Sequence, residues 1–256
     1  MNCVMAVMSE EEPKQGNVAV RKNRRRNSIR QVFYCLLIAL GAWGFLEIAD
    51  EVAEDDLRRF DESILLSLRE SSDLGDPIGP LWMEELARDV TALGSFVILG
   101  IFVSSSAIFL FLSGKLRSSA FLISSSLSGV AVSSFLKEFY NRSRPDLVPH
   151  EMHTLTMSFP SGHAMLSALI YLSAGVLVAS SQPMVKLKVF IVALAVFASI
   201  LVGLSRIYLG VHWPTDVVAG WIAGSTWALL WWLLALYYLP RRETDRLYTN
   251  ERVAHV

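Results

Sequence analysis

"SRIYLGVHWPTD", residues 205–216, sets an arginine, a histidine and an aspartate between two long uncharged runs, Val189–Ser205 and Val217–Leu239. Polar groups this close to hydrocarbon are costly, and they mark function by default if the runs beside them cross a membrane. The composition says that they do. The 256 residues are 53% hydrophobic and 18% charged, with a mean hydropathy of +0.42, which leaves too little polar material to cover a water-soluble globule of that length. Four more runs precede the two named: Gln31–Leu46, Val90–Gly114, Ser118–Leu136 and Ala164–Val185. Each is near the length, about 17–25 residues, that spans a bilayer as a helix. The first is the shortest and needs Ile48 and Ala49, beyond Glu47, to reach it. The expected fold is all-α, a six-transmembrane helical bundle over residues 31–239, between tails at 1–30 and 240–256. The opening "MNCVMAVMSEEEPK" lacks the charge order of a signal peptide, and residues 1–30 are expected to be a disordered, basic tail. Cys3 and Cys35 fall in different environments, so no disulfide framework is expected.

Charge distribution orients the bundle. With six spans both termini share a side, and that side collects 15 of the 23 Lys and Arg, including the cluster "RKNRRRNSIR". The positive-inside bias puts both ends in the cytoplasm. The first external loop, 50–89, carries thirteen Asp and Glu. Its apolar repeats "ILLSLRE" and "LWMEELARDV" predict short amphipathic helices lying on the membrane surface; a plain acidic linker is the alternative. The other external loops, 137–163 and 205–216, then emerge on the same face, as they must to build one site.

Those two loops hold the reactive groups. Lys137, Arg144 and Arg206 are permanent cations at the membrane edge, and the two guanidinium forks suit phosphate oxygens. An anionic ligand would relieve their mutual repulsion, although each taken singly also fits an interface anchor facing lipid headgroups. Arg142 fits the anchor reading better than the others, and Glu138, Asp146 and Glu151 serve as charge balance. "PSGHA", 160–164, reads as a helix start: Ser161 as N-cap, Gly162 allowing close backbone approach to an anion, and His163 in the first turn. A capped helix whose histidine merely faces the interface would look the same. In the opening stretch Pro214 fits the first helical position, with Asp216 at the third. A carboxylate there folds back to hold the His212 Nδ1–H, leaving Nε2 as a base or nucleophile, unless the pair only fastens the helix entrance.

Together K-x6-RP (Lys137, Arg144, Pro145), PSGH (Pro160–His163) and SR-x5-H-x3-D (Ser205, Arg206, His212, Asp216) resemble the tripartite signature of the type 2 phosphatidic-acid phosphatase superfamily. The six spans place the likeness with its membrane-bound lipid phosphate phosphatase branch, of bacterial type, rather than with its soluble acid phosphatases or vanadium haloperoxidases. The resemblance implies that His212 attacks phosphorus to form a phosphohistidine, Asp216 stabilises the imidazolium, and His163 protonates the leaving oxygen and then activates water. Lys137, Arg144, Arg206, Ser161 and Gly162 would hold the phosphate oxygens. With three cations there, no metal or other cofactor is expected. The implied partner is a membrane lipid phosphate or diphosphate (undecaprenyl pyrophosphate, phosphatidate or phosphatidylglycerol phosphate), with no nucleic acid, acted on at the outer face of a bacterial inner (plasma) membrane. A lipid phosphotransferase would use the same intermediate with an acceptor lipid in place of water. A transporter or scaffold leaves the loop residues unexplained, and no span carries a charge at its centre.

Overall fold

A computed structural model describes residues 12–146 and 157–238. Helix α1, Glu12–Ala53, is followed by α2, Arg58–Ser67, a hairpin of β1, Arg69–Glu70, and β2, Asp73–Pro77, and α3, Leu81–Ala92. Then come α4, Phe96–Leu112, α5, Leu116–Tyr140, α6, Gly162–Ser180, α7, Val185–Tyr208, and α8, Pro214–Tyr238. Five of these are long and apolar enough to cross a membrane, and α3 with α4, bent by 45° at their junction, make a sixth if the pair is one broken span. The chain is an integral membrane protein of helical architecture.

Several boundaries differ from the sequence reading. Helix α1 already runs from Glu12, so the basic stretch assigned to a disordered tail is helical from there; its Lys, Arg and Gln are good helix formers. The same helix passes through Glu47, Asp50 and Glu51 to Ala53, because carboxylates end an apolar run without ending a helix. The run Val90–Gly114 is two helices. Gly94 lies at the break, and Ser95 restarts the chain as an N-cap whose side chain accepts from the Ile98 amide. Pro183 separates α6, which stops at Ser180, from α7, which starts at Val185. The loop 50–89 does form helices α2 and α3, and the hairpin between them was not anticipated. That hairpin is tied to the membrane bundle: Arg69 donates to the Tyr208 carbonyl at 2.7 Å, and the Tyr208 hydroxyl donates to the Ile78 carbonyl at 2.9 Å. Cys35 is a free thiol; Cys3 lies outside the described residues.

Helix α6 is the centre, with 61% of its spanning window buried against 6% for α1. Its partner α8 approaches closely because Gly220 and Gly224 lie one turn apart on the facing side. A Cβ at Gly224 would run into the Met165 carbonyl oxygen, and one at Gly220 would sit 2.8 Å from that of Ser161. Small residues four apart let backbones meet without a side chain between them. The serine-rich middle of α5 works similarly: a Cβ at Gly129 would strike Leu169, and the Ser128 hydroxyl accepts the indole N–H groups of both Trp227 and Trp231 at 3.0 Å.

Candidate active site

The Gly220–Gly224 contact brings the starts of α6 and α8 side by side, and the Ser161 amide donates to the Asp216 carbonyl at 2.9 Å. Two helix N-termini, each the positive end of a dipole, thus lie side by side. The last turn of α5 adds Lys137, and the last turn of α7 adds Arg206. A Cβ at Gly162 would meet the Lys137 Cε at 3.4 Å, so glycine there keeps the lysine close to the α6 amides. The segment after α5 supplies Arg142 and Arg144.

At the α8 start, Pro214 takes the first helical position and Asp216 the third. One Asp216 oxygen, Oδ2, accepts from the Trp213 amide at 3.0 Å, the back-bonding half of a capping box, and lies 3.3 Å from His212 Nδ1. The Ser158 hydroxyl also donates to Oδ2. Oδ1 accepts from Arg142 at 2.6 Å. On the other side of the imidazole, Arg144 NH1 lies 3.2 Å from Nε2 while donating to the Val211 carbonyl at 2.6 Å. Arginine only donates. Nε2 is therefore the acceptor, the ring proton is on Nδ1, and it points at Asp216. Burial, and then the cations Arg144, Arg206 and Lys137 with His163, hold His212 well below its usual pKa. The lowered pKa favours the neutral imidazole, with its lone pair toward the cations.

The facing half is less complete. Arg206 is 1% exposed; NH1 donates to the Thr91 hydroxyl at 3.1 Å, and Nε is buried with no partner among the described residues. Ser161 occupies the N-cap position of α6 but makes no side-chain cap bond, and its buried Oγ has no partner among the described residues. Capping was expected of it. Lys137 Nζ donates to the Met157 carbonyl at 2.6 Å. His163, half-buried in the first turn of α6, packs beside the break between α3 and α4: a Cβ at Gly94 would lie 3.2 Å from the His163 Cδ2. Buried donors without partners among the described residues, beside three cations, suit an anion with several oxygens.

All eight residues singled out in the sequence, Lys137, Arg144, Ser161, Gly162, His163, Arg206, His212 and Asp216, lie around this volume. Arg142, read as an interface anchor, is corrected: its guanidinium turns inward to Asp216, to the Thr215 hydroxyl at 2.8 Å and to Asp61 at 2.8 Å. Asp61, Thr91, Ser158 and Thr215 were missed. Ser158 and Thr215 adjoin recognised motifs and are visible on that ground, whereas nothing local distinguishes Asp61 among the acidic residues of its loop. Residues 147–156, with Glu151, lie outside the described part.

A model of the PAP2 superfamily matches residues 119–239. Phosphatidylglycerophosphatase B of Bacillus subtilis (strain 168) is 34% identical over 146 residues, 56% of this chain and 70% of that protein. The undecaprenyl-diphosphatase of Sulfolobus acidocaldarius is 41% identical over a shorter stretch of 68 residues, 27% of this chain and 29% of its own. The crystal structure of a transmembrane PAP2-type phosphatidylglycerolphosphate phosphatase from Bacillus subtilis superposes with a TM-score of 0.69 at 25% identity, covering 78% of this chain and 96% of that one.

Proposed function

Since the chain belongs to the PAP2 superfamily, we propose that it is a metal-independent lipid phosphate phosphatase working through a phosphohistidine on His212. The observation that carries the reading is the placement of His212: Nδ1 3.3 Å from Asp216 and Nε2 3.2 Å from Arg144, beside anion-binding groups without partners among the described residues.

The chemistry follows from that placement. His212 Nε2 attacks phosphorus as the P–O bond to the lipid breaks, and His163 gives its proton to the departing oxygen. The imidazolium formed on His212 keeps its Nδ1–H on the Asp216 carboxylate. Water, losing a proton to His163, then attacks phosphorus and the P–N bond breaks, which returns both histidines to their starting states. Arg144, Arg206, Lys137, the Ser161 hydroxyl and the Gly162 amide meet the equatorial oxygens, where the transition state spreads its charge. Three fixed cations supply the electrostatic stabilisation that a metal gives elsewhere, and among the described residues no three His, Cys, Asp or Glu converge to hold one.

A site at helix ends suits an amphiphile whose tail stays in the bilayer. The phosphatidylglycerophosphatase likeness spans 70% of that relative, so phosphatidylglycerol phosphate leads undecaprenyl pyrophosphate and phosphatidate as the substrate. Counting α3–α4 as one broken span gives six crossings, with the basic ends cytoplasmic and the site on the outer face. Leu81, Trp82 and Leu86, exposed on α3, suit a helix at the headgroup level. The test is phosphate release by purified protein in detergent from a panel of lipid phosphates and diphosphates, with EDTA and without an acceptor lipid. Release under both conditions supports a metal-independent hydrolase. Turnover that needs Mg²⁺, or an acceptor, contradicts it.

A further inference from the structure

The first external segment reaches the reacting histidine through one buried side chain. Asp61, on α2, is 0% exposed, although it comes from a loop whose other acids mostly face out. Its Oδ1 accepts the Thr215 amide at 2.9 Å, and its Oδ2 accepts Arg142 NH2 at 2.8 Å and the Thr215 hydroxyl. Arg142 NH1 donates to Thr215 Oγ1, so the Thr215 hydroxyl proton has to point at Asp61. Three donors face two oxygens, an arrangement that a carboxylate accepts in full and that opposes the upward pull of burial on the Asp61 pKa.

From this we propose that Asp61 is a positioning residue for the His212–Asp216 pair, answering the charge of Arg142 so that the Asp216 carboxylate keeps its own charge for His212. The inference rests on the phosphohistidine reading above. Arg142 is the cation bridging the two carboxylates, at 2.8 Å from Asp61 and 2.6 Å from Asp216. If Asp61 were neutral, Arg142 would be a dedicated counter-ion of Asp216, and the pair would present no net charge to Nδ1. With both carboxylates ionised, the trio carries one surplus negative charge. That charge lies on the far side of His212 from the phosphate, where it favours the imidazolium that phosphorylation creates without meeting the anionic substrate. Asp61 also satisfies the second amide of α8, supplying from another element the acceptor that a helix start needs. The first turn of α8 is thereby locked at the angle that aims Asp216 at His212.

The test compares Asp61→Asn and Asp61→Glu with the unmodified full chain in detergent. Readouts are kcat, KM and competitive inhibition by inorganic phosphate, which samples the anion-binding half without chemistry. The expected result for Asp61→Asn is a fall in kcat of about 10–100-fold, the scale at which outer partners of an active imidazole act in metal sites. KM and the phosphate inhibition constant should be unchanged or lower, and Asp61→Glu should recover part of kcat by restoring the charge. A kcat within about threefold of the parent would overturn the proposal. So would a loss of phosphate binding parallel to the loss of kcat, or a Glu variant no better than Asn, each pointing to a structural strut instead. Trapping the parent's phosphoenzyme separates the two levels: its absence from His212 defeats the mechanism, whereas the Asp61 split is read from the variants alone.

Discussion

The two helix starts that meet in the site are finished to different degrees. At α8 the polar groups answer one another: Asp216 accepts from Trp213, Ser158 and Arg142 and faces His212, while Asp61 takes the remaining donors. At α6, and across from it on α7, the Ser161 hydroxyl and the Arg206 Nε are buried and answered by nothing among the described residues. Folding alone completes the first half, and its interactions hold the His212 imidazole in one tautomer. On the proposed reading, the second half is completed by the substrate phosphate. Stability and function should therefore separate between the halves, as they do wherever a binding site retains unsatisfied or like-charged groups.

The largest effect is expected at the finished end. Asp216→Ala leaves the Trp213 amide and one side of Arg142 without an acceptor, so it should cost about 3 kcal/mol or more of stability, and turnover should fall by about 10⁴-fold with the loss of the proton-orienting acid. Thermal denaturation in detergent and phosphate release measure the two losses; an active, stable variant would erase the contrast. Arg206→Met at the unfinished end should reduce kcat/KM by about 10²–10³-fold with the melting temperature kept or raised, because it removes a buried cation beside Arg144. A stability loss equal to that of Asp216→Ala would show that both ends are structural alike.

His163 divides the unfinished half further. An alkoxide leaves poorly without a proton, whereas p-nitrophenolate needs little help. His163→Ala should lose about 10²–10⁴-fold on a lipid phosphate monoester and much less on p-nitrophenyl phosphate. Equal losses on both substrates would make His163 a binding group only.

The smallest effect is a displacement along the pH axis. With His212 held below its usual pKa by burial and then by Arg144, Arg206 and Lys137, kcat/KM should persist as pH falls through 6.5, after correction for ionisation of the substrate. Stability moves the other way. The unfolded histidine takes up a proton near pH 6.5 and the folded one does not, so this group's contribution is lost as pH falls below 6.5 toward the folded value. In Arg206→Met one depressing cation is gone, and the acid limb should move up. A limb at or above 6.5 in the parent would mean that His212 titrates like an exposed histidine.

How much of this was legible in the sequence follows the same division. Lys137, Arg144, Arg206 and the two histidines stand out because charge beside an apolar run is expensive and therefore informative. Pro214 and Asp216 are readable from local helix-start chemistry, which needs only neighbours in the chain. Asp61 was not legible: thirteen acids share its loop, and its burial depends on α2 docking against α8. Arg142 was misread for the converse reason, since a guanidinium at a helix end looks the same whether it turns to lipid or inward, and Asp61 decides which. The hydropathy of Val90–Gly114 gives no sign of the bend that sets Gly94 against His163, because an apolar run scores alike whether straight or broken. The close α6–α8 approach was written as G-x-x-x-G at Gly220 and Gly224, a signal present but left unread.

The central claim is that the neutral imidazole of His212 becomes covalently phosphorylated. Turnover of a lipid phosphate quenched within milliseconds, without acid, and followed by peptide mass spectrometry tests it directly. The account predicts phosphate on His212, more of it in His163→Ala with an activated aryl phosphate if water activation then limits, and none in His212→Ala, which should be inactive on every substrate. Phosphate on His163 instead, or near-normal turnover by His212→Ala, would contradict the assignment of the nucleophile.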